Sequence, residues 1–132
     1  MDFSSLVLME RDKETNNIIR ELGSYEVPEA AKYITKLYYD GEMVHLFFDT
    51  DRDVEEWEFT AIFDLFDDTP FIEEGYDIEE EDGEYNPTWH VKFPYEEEHE
   101  AFKNKLNYLC GLIEGSLDKV FADISGKEAD YS

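Results

Sequence analysis

Asp49, Asp51, Asp53 and Glu55 alternate along the chain, and spaced oxygen ligands are what a calcium ion needs, because it binds several oxygens at once. Laid on the loop pattern of an EF-hand, however, the run has Val54 where a glycine makes the sharp turn and Thr60 where a glutamate supplies two oxygens. A divalent-cation (calcium) binding module built on these four residues is therefore kept as an alternative reading, and no other cofactor is expected. Hydrolysis by paired carboxylates would need one acid desolvated and its partner ionised. With 35 acids in 132 residues some pair always looks suitable, so the count assigns none. Cys110 follows Leu109 in an apolar helical stripe and reads as a packed thiol. His90 and His99 have no spaced partner that would recruit zinc, and no glycine-rich phosphate loop is present. These residues point away from an enzyme, although a carboxylate site hidden by the fold stays open as a third reading.

What remains is the charge. The 50 residues from Asp53 to Phe102 hold 19 acids against one basic residue, Lys92. Alternate side chains of a strand lie about 6.5–7 Å apart, and DNA places one phosphate per ~3.4 Å on each strand. Carboxylates spread over strands and a loop therefore reach a charge density in the range of a nucleic-acid backbone. The densest run supplies the candidates for a partner-binding surface: Glu73, Glu74, Asp77, Glu79, Glu80, Glu81, Asp82 and Glu84, with Tyr76 and Tyr85 as aromatic anchors. The bland counterpart is a solvated acidic face that only keeps the protein soluble.

Composition bounds the partners. A net charge of −24 and a pI near 4.1 repel nucleic-acid phosphates and anionic lipid, so the expected partner is a basic protein surface, such as that of a nucleic-acid-binding protein, and neither nucleic acid nor membrane directly. High charge with a mean hydropathy of −0.60 leans toward disorder. The 16% aromatic content decides for a folded chain, since each fully buried large side chain contributes roughly 1.5–3 kcal/mol. One cysteine excludes an internal disulfide. No apolar run follows a basic N-terminal region and none approaches the roughly 20 residues of a membrane span, so a cytoplasmic protein is expected.

The elements that must position these residues follow from periodicity. Residues 3–9, starting at Phe3, and Ile18–Val27 read as a hairpin across the charged run Glu10–Asn17, ended by Pro28. A second hairpin joins Tyr33–Tyr39 to Glu42–Phe48 through Asp40-Gly41, a preferred pair for a two-residue type I′ turn. That turn sets Tyr33 opposite Phe48, Thr35 opposite Leu46, Leu37 opposite Val44, and Lys36 opposite His45, leaving His45 a half-exposed sheet residue. Trp57–Phe66 alternates and reads as a strand, while helical spacing also connects Trp57, Ala61 and Leu65. Asp67–Pro87 reads as irregular, with room for one short strand or helical turn, and Thr88–Tyr95 as a last strand. From about Glu96 to Ser125, Phe102, Leu106, Leu109, Ile113, Leu117, Val120 and Ile124 recur at steps of three and four, the pattern of a long amphipathic helix stopped by Gly126. Gly111 and Gly115 within it suggest a close approach to the sheet.

The expected fold is one α+β domain over residues 1–125, a mainly antiparallel sheet of about five strands packed against the C-terminal helix, with 126–132 a flexible tail. The runs Asp2–Glu10, Glu21–Val27, Leu46–Thr50, Arg52–Trp57 and Tyr85–Trp89 resemble an uncharacterised family of small acidic bacterial proteins. That resemblance covers most of the chain and implies no activity, cofactor or catalytic residue. The composition also resembles that of nucleic-acid-mimic inhibitors, without a shared motif. The function expected is a non-enzymatic acidic binding protein, a nucleic-acid-mimic inhibitor or regulator.

Overall fold

Strand alternation and a helical stripe meet in one core. The computed structural model describes residues 4–131, so Phe3 of the expected first strand lies outside the described residues. Six strands form one sheet: Ser4–Arg11 (β1), Ile18–Val27 (β2), Ile34–Tyr39 (β3), Val44–Asp49 (β4), Asp77–Glu81 (β5) and Thr88–Phe93 (β6), in the order β2-β1-β3-β4-β6-β5. The sheet is mixed, with six strands rather than five: every neighbouring pair is antiparallel except β1 and β3, which run parallel and pair only at Met9–Tyr38 and Glu10–Tyr39. A 3₁₀ helix, Glu29–Tyr33, follows Pro28. The α-helices are Glu56–Leu65 (α1), Thr69–Glu73 (α2), His99–Ile124 (α3) and Glu128–Tyr131 (α4). Among the described residues no helix is long and apolar enough to cross a membrane.

The α+β architecture with a long C-terminal helix is as the periodicity requires. Val44, Leu46 and Phe48 of β4 and Trp89, Val91 and Phe93 of β6 are buried on one face, with the α3 stripe from Phe102 to Ile124 closing over it. Strand side chains alternate between faces, so His45 and Phe47, with His90 and Lys92, project from the other. The Glu98 carboxylate accepts the Ala101 N–H at 3.1 Å and starts α3. Gly126, at φ +80°, ends it after Ser125.

Gly111 and Gly115 correct one expectation. Both are exposed, and a β-carbon on either would meet nothing within 4 Å, so neither admits the sheet. Gly111→Ala and Gly115→Ala should each raise the unfolding free energy by up to about 1 kcal/mol, the helix-propensity difference, visible as a higher urea midpoint at unchanged slope.

Two local readings also change. Trp57–Leu65 is helical, not extended. The Glu55 N–H donates to the Glu58 carboxylate at 2.9 Å, half of a capping box that starts the helix, and the turn buries Ala61 and Ile62 side by side, which an alternating strand would separate. The second hairpin exists, but its register moves by two: Leu37 pairs with Leu46, Tyr38 with His45 and Tyr39 with Val44. Asp40 is the reason. Its Oδ1 accepts the N–H groups of both Glu42 and Met43 at 2.8 Å, so the chain makes a four-residue loop instead of a type I′ turn. A shift of two preserves the faces, and Val44, Leu46 and Phe48 stay buried. At the C-terminal end, read as a flexible tail, Glu128–Tyr131 forms α4, and the Tyr131 hydroxyl donates to Asp64 of α1 at 2.5 Å.

Candidate functional site

The acidic run, read as irregular with room for one short strand or helical turn, holds both: the helix α2 and the strand β5. Phe71 of α2 is fully buried, and β5 forms because β6 offers it a ladder: Asp77 pairs with Lys92, Ile78 with Val91, Glu79 with His90, Glu80 with Trp89 and Glu81 with Thr88. Intrinsic strand propensity of Asp and Glu is poor, and pairing overrides it. The result is an edge strand with carboxylates on both faces. Glu73 is exposed at the end of α2, Glu74 accepts the Tyr108 hydroxyl at 2.9 Å, and Asp82, Gly83 and Glu84 turn toward β6. Tyr85 is 80% exposed. Tyr76 is not an anchor for a partner: it is 8% exposed and lies edge-on to Phe93 at 5.6 Å.

Carboxylates from separate segments crowd this edge. Partial burial pushes the Glu80 carboxyl up, and Asp82 and Asp68, the latter from the turn before α2, push it further. Burial likewise raises Asp49, where Asp51 and Glu84 add to the effect against a hydrogen bond from the Asp51 backbone. Among the described residues none of Asp49, Asp68, Glu80, Asp82 and Glu84 has a cation within 4.0 Å, whereas Glu79 has Lys92 at 3.8 Å. Like charges are thus held together without compensation.

The four candidate cation ligands do not converge. Asp49 ends β4 and its Oδ1 accepts the Asp51 N–H at 2.8 Å; Asp51 turns the chain at φ 54°, and Asp53 is exposed. The Glu55 carboxylate accepts the Trp57 indole N–H at 2.8 Å. Among the described residues no three His, Cys, Asp or Glu side chains are grouped to hold a metal ion.

A polar network appears on the sheet face away from the helices. His45 faces Tyr38 rather than Lys36, and its side chain is 13% exposed. Its Nε2 lies 2.7 Å from the Asp40 carboxylate and its Nδ1 lies 2.7 Å from Nε2 of His90. His45 stacks on Tyr38 at 4.8 Å and His90 on Phe47 at 4.1 Å. Arg11 lies over the Tyr38 ring and Lys36 over Phe47, each at cation–π distance. Burial lowers His90 to about 4, and His45, Lys92 and Lys36 act in the same direction against Glu79. Asp40 is pushed up by burial but held down, to about 2, by its backbone and His45 hydrogen bonds. An ionised Asp40 accepts a hydrogen bond from His45 Nε2–H, and in that tautomer the bare Nδ1 of His45 accepts from His90 Nε2–H. This leaves the bare Nδ1 of His90 3.8 Å from Glu79 and from Glu81.

The chain Asp40–His45–His90 can order and relay protons along one axis. The thiol lies elsewhere: Cys110 is buried on α3, on the opposite side of the sheet, where burial, then Glu114, raises it to about 11. His90 therefore has a partner that spacing could not reveal, because 45 residues separate it from His45 until β4 and β6 pair. The signal was present in halves. His45 sits between Val44 and Leu46 and His90 between Trp89 and Val91, so each histidine had to face away from the core of its own strand.

No curated protein and no solved structure matches the chain. A family model does match, over residues 1–132. The chain therefore belongs to DUF6762, a family of unknown function.

Proposed function

We propose that this chain is a non-enzymatic acidic binding protein that docks its β5 edge on a basic protein surface, filling a groove that otherwise holds a nucleic-acid backbone. One observation supports the reading above the others: on top of partial burial, Asp51 and Glu84 push the Asp49 carboxyl up and Asp82 and Asp68 push that of Glu80 up, and among the described residues Asp49, Asp68, Glu80, Asp82 and Glu84 have no cation within 4.0 Å. A face that served only solubility would gain nothing from such crowding, because dispersed charges repel solvent-borne partners equally well at lower internal cost. A cationic partner relieves the repulsion on contact and releases its own counterions, as it would on binding DNA. Exposed Tyr85 beside Glu84 supplies the aromatic contact that interfaces favour. The same reading places the protein in a bacterial cytoplasm, in keeping with its lone, buried, unpaired cysteine.

The test is retention of bacterial lysate proteins on the immobilised chain. A nucleic-acid-binding protein should be captured at about 0.05 M salt, released by about 0.5 M, and displaced by duplex DNA. A variant with Glu80→Gln, Asp82→Asn and Glu84→Gln should lose most of this capture. A control carrying Glu14→Gln, Glu114→Gln and Asp118→Asn, with the same net charge, should keep it. Equal loss from both variants, or indifference to DNA, would reduce the acidic edge to a general solubilising surface.

A further inference from the structure

Away from β5, a cavity of about 640 Å³ opens between the first turn of α1 and α4, lined by Glu55, Glu56, Trp57, Thr60, Glu128 and Tyr131. Its volume is within the range of small-molecule sites. Two aromatic rings and three carboxylates share its wall with the Thr60 hydroxyl, and no basic side chain lines it. The polar atoms of both rings are already committed: the Trp57 indole N–H donates to Glu55 at 2.8 Å, and the Tyr131 hydroxyl to Asp64 at 2.5 Å. The rings are thereby pinned, and what they can offer an occupant is π surface. Glu56 and Glu128 are exposed and, among the described residues, have no cation within 4.0 Å.

We infer that this cavity binds a small organic cation with an alkylated ammonium head, held between the Trp57 and Tyr131 rings and neutralised by Glu56 and Glu128. Each competing occupant fails on one wall. An anion meets three carboxylates, and a neutral apolar molecule strips water from them without compensation. A hydrated metal ion has no use for two aromatic surfaces. An alkylammonium ion uses both, because its charge is diffuse, its methyl groups are apolar, and the ring quadrupole attracts it. Trp57 and Tyr131 come from elements 74 positions apart in sequence, joined at this wall by the Tyr131–Asp64 hydrogen bond. The site is separate from the β5 edge and stands or falls without it.

The probe is choline, read by the emission of Trp57. The other tryptophan, Trp89, is 2% exposed in the core and provides a constant background. Choline should change the emission saturably. Sodium chloride at equal ionic strength should not, nor should the uncharged isostere in which a tert-butyl group replaces trimethylammonium. Tyr131→Leu and Glu56→Gln should each weaken the response by about tenfold, the size of a desolvated cation–π or charge contact. The Glu56 side chain is exposed and, among the described residues, makes no hydrogen bond or ion pair, and glutamine keeps its shape, so Glu56→Gln reads the site even if Tyr131→Leu loosens α4. No response to choline, a response matched by sodium or by the neutral isostere, or unchanged affinity in Glu56→Gln would overturn the assignment.

Discussion

Lowering the pH from about 6.5 to about 4 should cost the wild-type fold about 3 kcal/mol more than it costs a His90→Gln variant. The figure follows from His90, held at about 4 against an ordinary 6.5, at about 1.4 kcal/mol per pH unit. Above pH 6.5 the imidazole is neutral in both states and contributes no slope. Between 6.5 and 4 the unfolded chain takes up a proton that the folded chain refuses, so stability falls as pH falls; below 4 both are protonated and the loss is complete. Glutamine at position 90 can still donate an N–H to Nδ1 of His45 while carrying no titrating group, which isolates the term. The comparison is needed because Asp49 and Glu80, with carboxyls pushed above their ordinary range, act in the opposite sense: each favours the folded state as pH falls through its folded value. Urea denaturation of both proteins at several pH values measures the difference. Nitrogen NMR of the imidazoles should show the proton on Nε2 of both His45 and His90 near neutral pH, and Asp40→Asn should move it to Nδ1 of His45, because an amide N–H then faces Nε2. Parallel pH profiles for wild type and His90→Gln would refute the assigned buried, neutral His90.

A larger loss is expected from Trp89→Ala, about 4 kcal/mol. Trp89 is 2% exposed and sits in a ring of phenylalanines, with Phe66 stacked at 4.4 Å, Phe48 at 5.1 Å and Phe63 edge-on at 5.3 Å. Removing an indole from such a site forfeits its transfer free energy and leaves a cavity that rigid rings cannot close, for which losses of about 3–5 kcal/mol are typical. Against a total stability of about 5–15 kcal/mol, this brings the fold close to its limit. Trp89→Phe, which keeps a ring for Phe66 to stack on, should recover more than half of the loss. Thermal and urea unfolding followed by circular dichroism will show the order; a Trp89→Ala variant within about 1 kcal/mol of wild type would contradict the packing described.

How much of this was legible in the residues depended on distance along the chain. The α3 stripe was plain because contacts three and four residues apart are local and all seven apolar positions from Phe102 to Ile124 agree. The hairpin at Asp40 was legible in kind but not in register: Asp-Gly signals a tight turn, yet whether the aspartate carboxylate captures the next backbone N–H groups depends on geometry that the dipeptide does not encode. Trp57–Leu65 carried both periods, and the arbiter was Glu58 reaching back to Glu55, a capping signal that overlaps the start of the alternation. For β5 no local signal existed, since Asp-Ile-Glu-Glu-Glu has little reason to be extended until β6 lies beside it. The sites divide the same way. The acidic candidates were visible from composition, whereas His45 with His90, Asp49 with Glu84, and Trp57 with Tyr131 are meetings made by the fold.

The charge on β5 also bears on what the sheet avoids. An edge strand presents unpaired backbone N–H and C=O groups that a second copy can extend into a continuous sheet, the usual first step of edge-to-edge aggregation. Here Asp77, Glu79 and Glu81 lie on one face of that edge and Glu80 on the other, so a second β5 brought alongside would set carboxylate against carboxylate on both faces, across the roughly 5 Å between paired strands. The carboxylates of β5 therefore make this edge of the sheet a poor template for a second copy of itself.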